Sequence, residues 1–535
     1  MRSRIILTCL GLTGLLAASA RADLIPVTED IASGTEVTWT AENSYRLDTV
    51  IYVQTNAVLN IEPGTVVYGA RNVTIGREDI PNLVSALWVT RGGKLNAVGT
   101  AEKPIIFTAE GDDLHGNIGP DETSLWGGVV ILGKARINSA KDADGNAATP
   151  KYDVYEGTDG PGPNGEHVFG GDDDADSSGR LRYVSIRHAG NEFAPASELN
   201  ALTMGAVGSG TELSHLEVFA GSDDGIEWWG GTVHGDHLVA AFCEDDDFDT
   251  DQGYRGVNQF LLGVKPPWAG TADSRGFETD GDLNQSEQGE EPISQWYGYN
   301  ATMIGRGKDE TSSSLGVAWN VRDETAPNVV NSIFAAWDKG LKLDSDGLYH
   351  FETEPPSARI ANNVWDVTTG ATSTDGEFIF TTAEFLNTIE DAMLGGISYA
   401  ADQGLDPRPQ AGSPAFENVV AGAPVAVDYR GAFSGPSDNW ADGWTALSQL
   451  GYLKPAEAGL TVPVILDFSV GGGKVMVTVQ SVGGMSYQLE AKSPVTGPWA
   501  NAGDAVLGDG DAVVLEVPAG AGDEYFRVRG FPTAP

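Results

Sequence analysis

The sequence is poor in cysteine and in basic residues. It has 2 Cys and only 32 Lys+Arg against 76 Asp+Glu, which gives a net charge of −44. Cys9 lies in an N-terminal leader, so Cys243 is left without a partner and we expect no intramolecular disulfide. The acidic balance excludes nucleic acid and an anionic membrane surface as partners, because neither is attracted to such a chain. It also disfavours a long polyanionic substrate unless cations bridge the two.

Long apolar runs are missing after residue 22. The first residues contain basic Arg2 and Arg4, an apolar core over 5–18, and the small-x-small site Ala20-Arg21-Ala22. This pattern predicts a signal peptide over residues 1–22, cleaved near Ala22. No later segment approaches the roughly 20 apolar residues that span a bilayer. We therefore expect a secreted protein, periplasmic, cell-surface or extracellular, whose net charge changes from −44 to −47 on loss of the leader's three arginines.

The motifs of several enzyme classes are also missing: there is no phosphate-binding loop, zinc-binding cysteine set or nucleophile elbow. What is present is a turn-dense chain with 69 Gly and 27 Pro. Short alternating apolar segments begin near Val50, for example VLNIEPGTVVYG and GGKLNAVG. Such spacing is typical of β-strands separated by turns.

A tandem repeat is the most informative feature. SHLEVFAGSDDGIEWWGG, over 214–231, aligns with DHLVAAFCEDDDFDTDQG, over 236–253, at an offset of 22 residues. A fixed period of about 20–50 residues predicts a solenoid, in which each repeat buries its apolar face against its neighbours. LRYVSIRHAG, at 181–190, repeats the same strand one coil earlier.

Two further segments set the predicted domain boundaries. TTAEFLNTIEDAML, over 381–394, predicts a helix that caps the solenoid, with Thr382 as N-cap. After Pro455, alternating strands such as GMSYQLEAKS predict a small β-sandwich. We therefore expect a solenoid over 23–455 and a sandwich module over 456–535.

Several motifs in combination resemble one known family. They are NIEPGTVVYG, WGGVVILGKA, GGDDDADSSGRLRYVSIRHAG, DDGIEWWGGTVHGDHLVAA, DDDFDTDQGYRG, GFETDGD and DPRPQAGSPA, spread over roughly residues 50–450. The chain resembles exported bacterial right-handed parallel β-helix proteins, most of them without an assigned function. Its last eighty residues resemble a β-sandwich module of secreted bacterial proteins. The resemblance implies an all-β fold and an extracellular or surface location, and it implies no catalytic residues.

The repeat stacks acid on acid. Coils of a parallel β-helix lie about 4.8 Å apart, so Asp223 should face Asp245, and Asp224 should face Asp246. Such repulsion calls for compensation, and dense carboxylate oxygens suit Ca²⁺. The predicted metal ligands are Asp223, Asp224, Asp245, Asp246, Asp247, Asp249 and Asp251. The spacing does not match an EF-hand, and an ion-free turn with protonated or solvated acids stays open.

Paired acids also suit glycoside hydrolysis, in which two carboxylates flank the scissile bond. The candidate catalytic residues for that reading are Asp223, Asp224, Asp245, Asp246 and His234. A lyase would use Ca²⁺ with a basic residue, and Arg255 or Arg275 are the candidates. Because fold analogy is weak evidence for activity, a non-enzymatic role remains the preferred interpretation.

Two smaller features accompany the acids. His215 and His237 fall in register on the outward side of adjacent strands, with Tyr183 and Gln259 extending the column. We interpret this column as a row of solvent-exposed side chains stacked on successive strands, and a transition-metal site is the alternative. The sequence therefore predicts a surface-binding or attachment protein with Ca²⁺-stabilised turns and a glycan or cell-surface component as partner. A polysaccharide-degrading enzyme is the alternative.

Overall fold

The fold is known from a computed structural model. It describes residues 23–456 and 464–532, except for 74–76, 78–79, 81–83, 139–150, 159, 195–196, 269–273, 282–290, 311–314, 472–473, 482–484, 493–499, 509–511 and 519–524. The predicted signal peptide therefore lies outside the described residues. The described residues divide into two compact units, one within 1–392, 414–432 and 444–450, the other within 393–413, 433–443 and 451–535. The predicted boundary after residue 455 does not coincide with this division.

The first unit is a parallel β-helix, which confirms the predicted all-β solenoid. Each coil contributes one strand to each of three parallel sheets. The first sheet contains β2 (Glu36–Trp39), β5 (Val58–Ile61), β8 (Lys94–Val98), the N-terminal parts of β13 (Gly179–Arg187), β17 (Glu212–Phe219), β19 (His234–Ala241), β21 (Val257–Val264) and β23 (Tyr297–Ile304), then β25 (Asn328–Val330) and β27 (Arg359–Ala361).

The second sheet continues from the first after a sharp bend. It contains β1 (Asp23–Val27), β3 (Asn43–Leu47), β6 (Val66–Gly69), β9 (Ile105–Ala109), the C-terminal parts of β13, β17, β19, β21 and β23, the first parts of β26 (Ile333–Leu343) and β28 (Val364–Ala371), and β29 (Thr388–Ile389).

The third sheet carries the residues of most interest. It contains β4 (Val50–Val53), β7 (Ala86–Val89), β10 (Val129–Leu132), β16 (Leu202–Gly205), β18 (Ile226–Trp229), β20 (Phe248–Asp251), β22 (Phe277–Thr279), β24 (Val317–Val321) and the C-terminal parts of β26 and β28. One inward column of this sheet is apolar throughout: Ile51, Leu87, Val129, Leu202, Ile226, Phe248, Phe277 and Trp319 are all buried. The period-2 alternation of each strand therefore becomes a continuous core.

Two antiparallel hairpins lie outside the coils. β11 (Lys151–Val154) pairs with β12 (Val168–Gly171), and β14 (Asn191–Ala194) pairs with β15 (Ser197–Leu199). A second apolar cluster, outside the coils, joins Tyr155 and Phe169 to outward residues of the third sheet such as Trp88. The excursion that the sequence suggests as a surface loop thus covers part of this sheet.

The bend between the first and second sheets has the same backbone geometry in successive coils. Residues Tyr183, His215, His237, Phe260, Asn300, Asn331 and Asn362 all have φ between 49° and 61°. The predicted place of Gln259 in this column is wrong. The offset from Ser214 to Asp236 is 22 residues but that from Asp236 to Gln259 is 23, so the extra residue moves Phe260 into the column.

The predicted helix over 381–394 is wrong. A short helix, α2, spans Glu377–Thr381, with α1 at Tyr349–Glu352 and α3 at Ala446–Gln449, and single 3₁₀ turns at Thr374–Gly376, Ala383–Phe385 and Pro414–Phe416. Leu386 has φ 52°, and the Asn387 amide donates to the carbonyl oxygens of Ile360 and Ile379 at 2.8 and 2.9 Å. Thr388–Ile389 then pairs as a strand with β28. Continuing the parallel ladder outweighs the weak helical preference of this segment.

The second unit contains β30 (Leu394–Gly396) paired with β31 (Asp406–Pro409), and two further antiparallel sheets. One sheet has β32 (Val464–Gly471), β33 (Lys474–Gln480) and β37 (Ala512–Pro518); the other has β34 (Met485–Lys492), β35 (Ala500–Asn501), β36 (Val506–Leu507) and β38 (Tyr525–Pro532). Val477 and Leu515 of one sheet share a core cluster with Tyr487 and Leu489 of the other. Among the described residues of the chain, no helix is long and apolar enough to cross a membrane.

Candidate functional site

The acidic repeat forms two stacked turns that lead from the second sheet to the third. Residues 220–225 join β17 to β18, and residues 242–247 join β19 to β20. The amide of Asp246 donates to Asp224 Oδ1 at 2.9 Å, and the amide of Gly225 donates to the Asp246 carbonyl at 2.9 Å. Asp224 and Asp246 thus lie on adjacent coils, as their 22-residue spacing predicts.

The next residues add a second acidic column on the outward face of the third sheet. Glu227 of β18 pairs in register with Asp249 of β20, which pairs with Glu278 of β22. Thr203 of β16 precedes them and Asn320 of β24 follows them. Because inward neighbours in these strands fill the core, the carboxylates face outward, and they lie side by side at the coil spacing.

These turns and strands border one cavity of about 410 Å³, hereafter the acidic cavity. Thirteen carboxylates line it: Asp153, Glu156, Glu198, Asp223, Asp224, Glu227, Asp245, Asp246, Asp249, Asp251, Glu278, Asp280 and Asp323. Sequence reasoning found the central ones from the repeat. It missed Asp153, Glu156 and Glu198, which come from the inserted hairpins and have no periodic signal.

Positive charge is scarce around these acids. Among the lining residues that the structure describes, Arg322 is the one cation. Its guanidinium donates to both carboxylate oxygens of Asp280 at 2.7 and 2.6 Å and lies 3.2 Å from Glu278 Oε2. Arg275, buried behind the column, adds a contact of 3.1 Å to Glu278 Oε1. The Arg275 amide also donates to Asp246 Oδ1 at 2.6 Å. Burial raises the pKa of Asp246, and the charges of Arg275 and Lys265 oppose that effect without cancelling it. Asp224 has no cation within salt-bridge distance among the described lining residues.

Burial and mutual repulsion have a predictable effect on these carboxylates. Burial, followed by the charges of neighbouring acids, raises the pKa of Asp223, Asp224, Glu227, Asp246 and Asp249 well above their ordinary values. In contrast, the pKa of Asp323 rises only to about 6, because Arg322 opposes the effect of burial. The ionised form of the central acids is therefore costly in the folded state.

Two sets of three carboxylates have the spacing of metal ligands. Asp223, Asp224 and Asp245 form one set, and Asp224, Glu227 and Asp249 form the other; within each set, one oxygen per residue lies within 4.8 Å of the others. Ca²⁺ takes 6–8 oxygens at about 2.3–2.6 Å, so oxygens around one ion stand at most about 5 Å apart. Asp224 belongs to both sets and thus joins the acidic turns to the acidic strands.

An uncharged neighbour also offers an oxygen donor to the acidic cavity. Gln252, which is 3% exposed and lines the acidic cavity, has no hydrogen-bond partner for Oε1 among the described residues. A buried amide oxygen without a partner costs about 1–3 kcal/mol, and amide oxygens are regular Ca²⁺ ligands. The residue donors of the cavity thus fit a hard cation.

Asp247 lies elsewhere than the other predicted metal ligands. In register it corresponds to Gly225, where an added Cβ would meet Ala240 and Cys243 in the interior. The Asp247 carboxylate accordingly points inward, where Oδ1 lies 3.1 Å from the Lys265 ammonium and both side chains are fully buried. This ion pair offsets much of the burial cost, and burial still raises the pKa of Asp247 to about 6. Asp247 is thus removed from the ligand set.

The other predicted participants are also apart from the acidic cavity. His234 is exposed at the start of β19, and its Nδ1 accepts a hydrogen bond from the Val257 amide at 3.0 Å. Arg255 is occupied by Asp174, at 2.9 and 3.1 Å. A role for His234 or Arg255 in chemistry at the paired acids has no geometric support.

The aromatic residues near the repeat are mostly buried. Trp228 and Trp296 are each 1% exposed and belong to the core of the coils. Trp229 and Phe169 border the acidic cavity but are 6% and 1% exposed. The cavity is therefore lined mainly by carboxylates, and the two aromatic side chains at its border are almost fully buried.

The fold and the cavity define a parallel β-helix with a carboxylate pocket on its third sheet. Comparison with protein families agrees with the fold: the model of the pectate-lyase like beta helix domain matches residues 30–402, well over half of the 535-residue chain. The chain belongs to this family. No curated protein matches the chain.

Proposed function

We propose that the acidic cavity binds Ca²⁺ and that the bound cation holds the turns, the third sheet and the two hairpins together. The observation that carries the proposal is the set of thirteen carboxylates around one cavity with one guanidinium among the described lining residues. Oxygen donors at this density favour a hard cation of variable coordination number, which Ca²⁺ is and Mg²⁺, with its strict octahedral geometry, is not.

We further propose that the stabilised β-helix serves in binding or attachment outside the cytoplasm, with an extracellular glycan or a cell-surface component as partner. The sequence supports this role, because the predicted signal peptide over 1–22 would direct export and a net charge of −44 favours solubility. The burial of Trp229 and Phe169 leaves little aromatic surface in the acidic cavity for stacking a sugar ring, which supports a cation rather than a glycan as the occupant of this cavity.

The test of the cation is thermal unfolding with excess chelator and with Ca²⁺, together with calorimetric titration of Ca²⁺. A ligand at 100 times its Kd stabilises the folded state by about 2.7 kcal/mol, so we expect a clear rise of the midpoint in Ca²⁺. Asp224→Asn removes a carboxylate from both ligand sets and should weaken Ca²⁺ binding by more than tenfold. Glu102→Gln, at an exposed acid outside the cavity, is the matched control and should bind as the parent does. Equal midpoints with Ca²⁺ and with chelator would refute the proposal.

A second candidate function is Ca²⁺-assisted cleavage of a polysaccharide. Membership of the pectate-lyase like family favours it, and Asp246 with Asp224 supplies a carboxylate pair next to the proposed ion. The test is a screen for reducing ends and for unsaturated products on acidic and neutral glycans in the presence of Ca²⁺. Turnover that disappears in Asp246→Asn would establish this function over attachment, and no turnover on any glycan would leave attachment as the role.

A further inference from the structure

A second group of possible metal ligands lies at the bend between the first and second sheets, on another side of the coil from the acidic cavity. Ser214 of β17 pairs in register with Asp236 of β19, and the next residue of each strand is a histidine. His215 and His237 have φ of 55° and 54°, and their rings stack at 4.3 Å with 15° between the planes. We call these four residues the His–Asp cluster.

The polar atoms of the His–Asp cluster form a continuous chain. His215 Nδ1 lies 2.8 Å from Ser214 Oγ, which donates to Asp236 Oδ1 at 2.9 Å, and His237 Nδ1 lies 2.5 Å from the same oxygen. One ligand atom from each of His215, Asp236 and His237 falls within 4.8 Å of the other two. Metal–nitrogen bonds of about 2.0–2.1 Å allow ligand atoms up to about 4 Å apart, so the spacing is close to that of a metal site. Because an ion binds in the plane of an imidazole, one of the two stacked rings must rotate out of the stack to share the ion.

The surroundings hold the cluster in place while leaving it accessible. The Tyr183 ring packs on His215 at 4.3 Å, and the Phe260 ring packs on His237 at 4.7 Å. The side chains of His237 and Asp236 remain 24% and 47% exposed. The two imidazoles therefore lie between aromatic rings, and the exposed side of the cluster leaves room for a ring to rotate and for an ion to enter from solvent.

We propose that His215, Asp236 and His237 bind a divalent transition-metal ion such as Zn²⁺ or Cu²⁺. Two imidazoles with one carboxylate are borderline donors that suit these ions, whereas the acidic cavity offers oxygen donors that suit Ca²⁺. Ser214 Oγ contacts His215 Nδ1 and Asp236 Oδ1, and these hydrogen bonds orient both ligands. This site is independent of the Ca²⁺ proposal, because it shares no residue with the acidic cavity.

The test is titration of the full chain with Cu²⁺ in saturating Ca²⁺, followed by calorimetry and by electron paramagnetic resonance. We expect one Cu²⁺ bound with micromolar or tighter affinity and hyperfine splitting from two nitrogens. His237→Gln should weaken binding by more than thirtyfold and leave at most one coordinated nitrogen. His115→Gln changes an exposed imidazole outside the cluster and should bind as the parent does.

Asp236→Asn provides a second, milder variant in case His237→Gln unfolds, and unfolding is monitored by circular dichroism. Asp236→Asn should retain the two-nitrogen signal but bind Cu²⁺ several times more weakly. The proposal is overturned if the parent shows no nitrogen-coordinated Cu²⁺. It is equally overturned if His237→Gln, shown to be folded, keeps the parent affinity and spectrum.

Discussion

The two halves of the outward face of the third sheet differ in what covers them. On the outward face of the third sheet, Tyr52, Trp88 and Val130 follow one another in register and are buried under an apolar cluster from the inserted segment. Further along the same column, Glu227, Asp249 and Glu278 face the acidic cavity. The first half is completed by the chain's own side chains. The second half carries charge that its own side chains only partly neutralise, which is why an external cation is expected there.

The largest expected loss of stability comes from a substitution in the apolar half of the sheet face. Trp88→Ala empties a fully buried site in the outer cluster and should lower the free energy of unfolding by about 3–5 kcal/mol. The loss should be the same in Ca²⁺ and in chelator, because Trp88 does not line the acidic cavity. Denaturant unfolding in both conditions measures it. Tyr152→Ala, at an exposed aromatic of the same inserted segment, is the control and should cost much less. A Trp88→Ala effect that depends on Ca²⁺ would contradict the separation of the halves.

The next substitution, in the acidic half, should shift the unfolding midpoint in opposite directions with chelator and with Ca²⁺. In chelator, Asp249→Asn removes one of several mutually repelling carboxylates and should raise the unfolding midpoint, by an amount equivalent to about 1–2 kcal/mol. In Ca²⁺ the same variant loses a ligand and should melt below the parent. Asp174→Asn is the comparison, because Arg255 and Arg136 already bind that carboxylate. It should lower the midpoint in both conditions. A fall in chelator for Asp249→Asn would show that the cavity acids are internally compensated.

The pH dependence follows from the direction of the pKa shifts. The cavity acids have a raised pKa in the folded state, so their favourable contribution is complete below the unfolded pKa near 4 and is lost as pH rises through the folded values. In chelator, the midpoint of unfolding should therefore fall between pH 5 and pH 8. In Ca²⁺ it should fall less, because the ion binds the ionised form, and the gap between the two conditions should widen with pH. Thermal melts at matched ionic strength measure both curves; a constant gap would contradict the assignment.

The smallest expected loss of stability comes from a substitution at Thr203, where the apolar and acidic halves meet. Thr203 lies in register between Val130 and Glu227, and its hydroxyl contacts Tyr155 Oη and Asn200 Nδ2, each at 3.1 Å. Asn200 also donates to Glu227. Thr203→Val should lower the free energy of unfolding by about 1 kcal/mol and weaken Ca²⁺ binding a few-fold, since Asn200 loses one of its contacts. Thr203→Ser keeps the hydroxyl and should leave the Ca²⁺ affinity unchanged. Equal Ca²⁺ affinity in Thr203→Val and the parent would place the border elsewhere.

The parallel coils and the central acids were predictable because both depend on a short period. The 22-residue offset between Ser214 and Asp236 predicts which residues stack. It therefore places Asp224 next to Asp246, as the hydrogen bond between them shows. One error arose where the period changes by one residue, because the insertion moves Phe260 in place of Gln259 into the bend column. The other arose because the local pattern of 381–394 resembles a helix although Asn387 and Thr388 continue the coil.

The sequence alone determined the solenoid, since a repeated apolar strand can bury its face only against its neighbours. It also determined that acids of successive repeats lie side by side. Only the tertiary structure decided which acids meet in one cavity. Burial sends the Asp247 side chain inward to Lys265, while the inserted hairpins bring Glu156 and Glu198 to the cavity from outside the repeat. The reason is physical: strand period fixes neighbours within the stack, but the direction of a turn residue and the docking of an insertion depend on what each side chain meets in space.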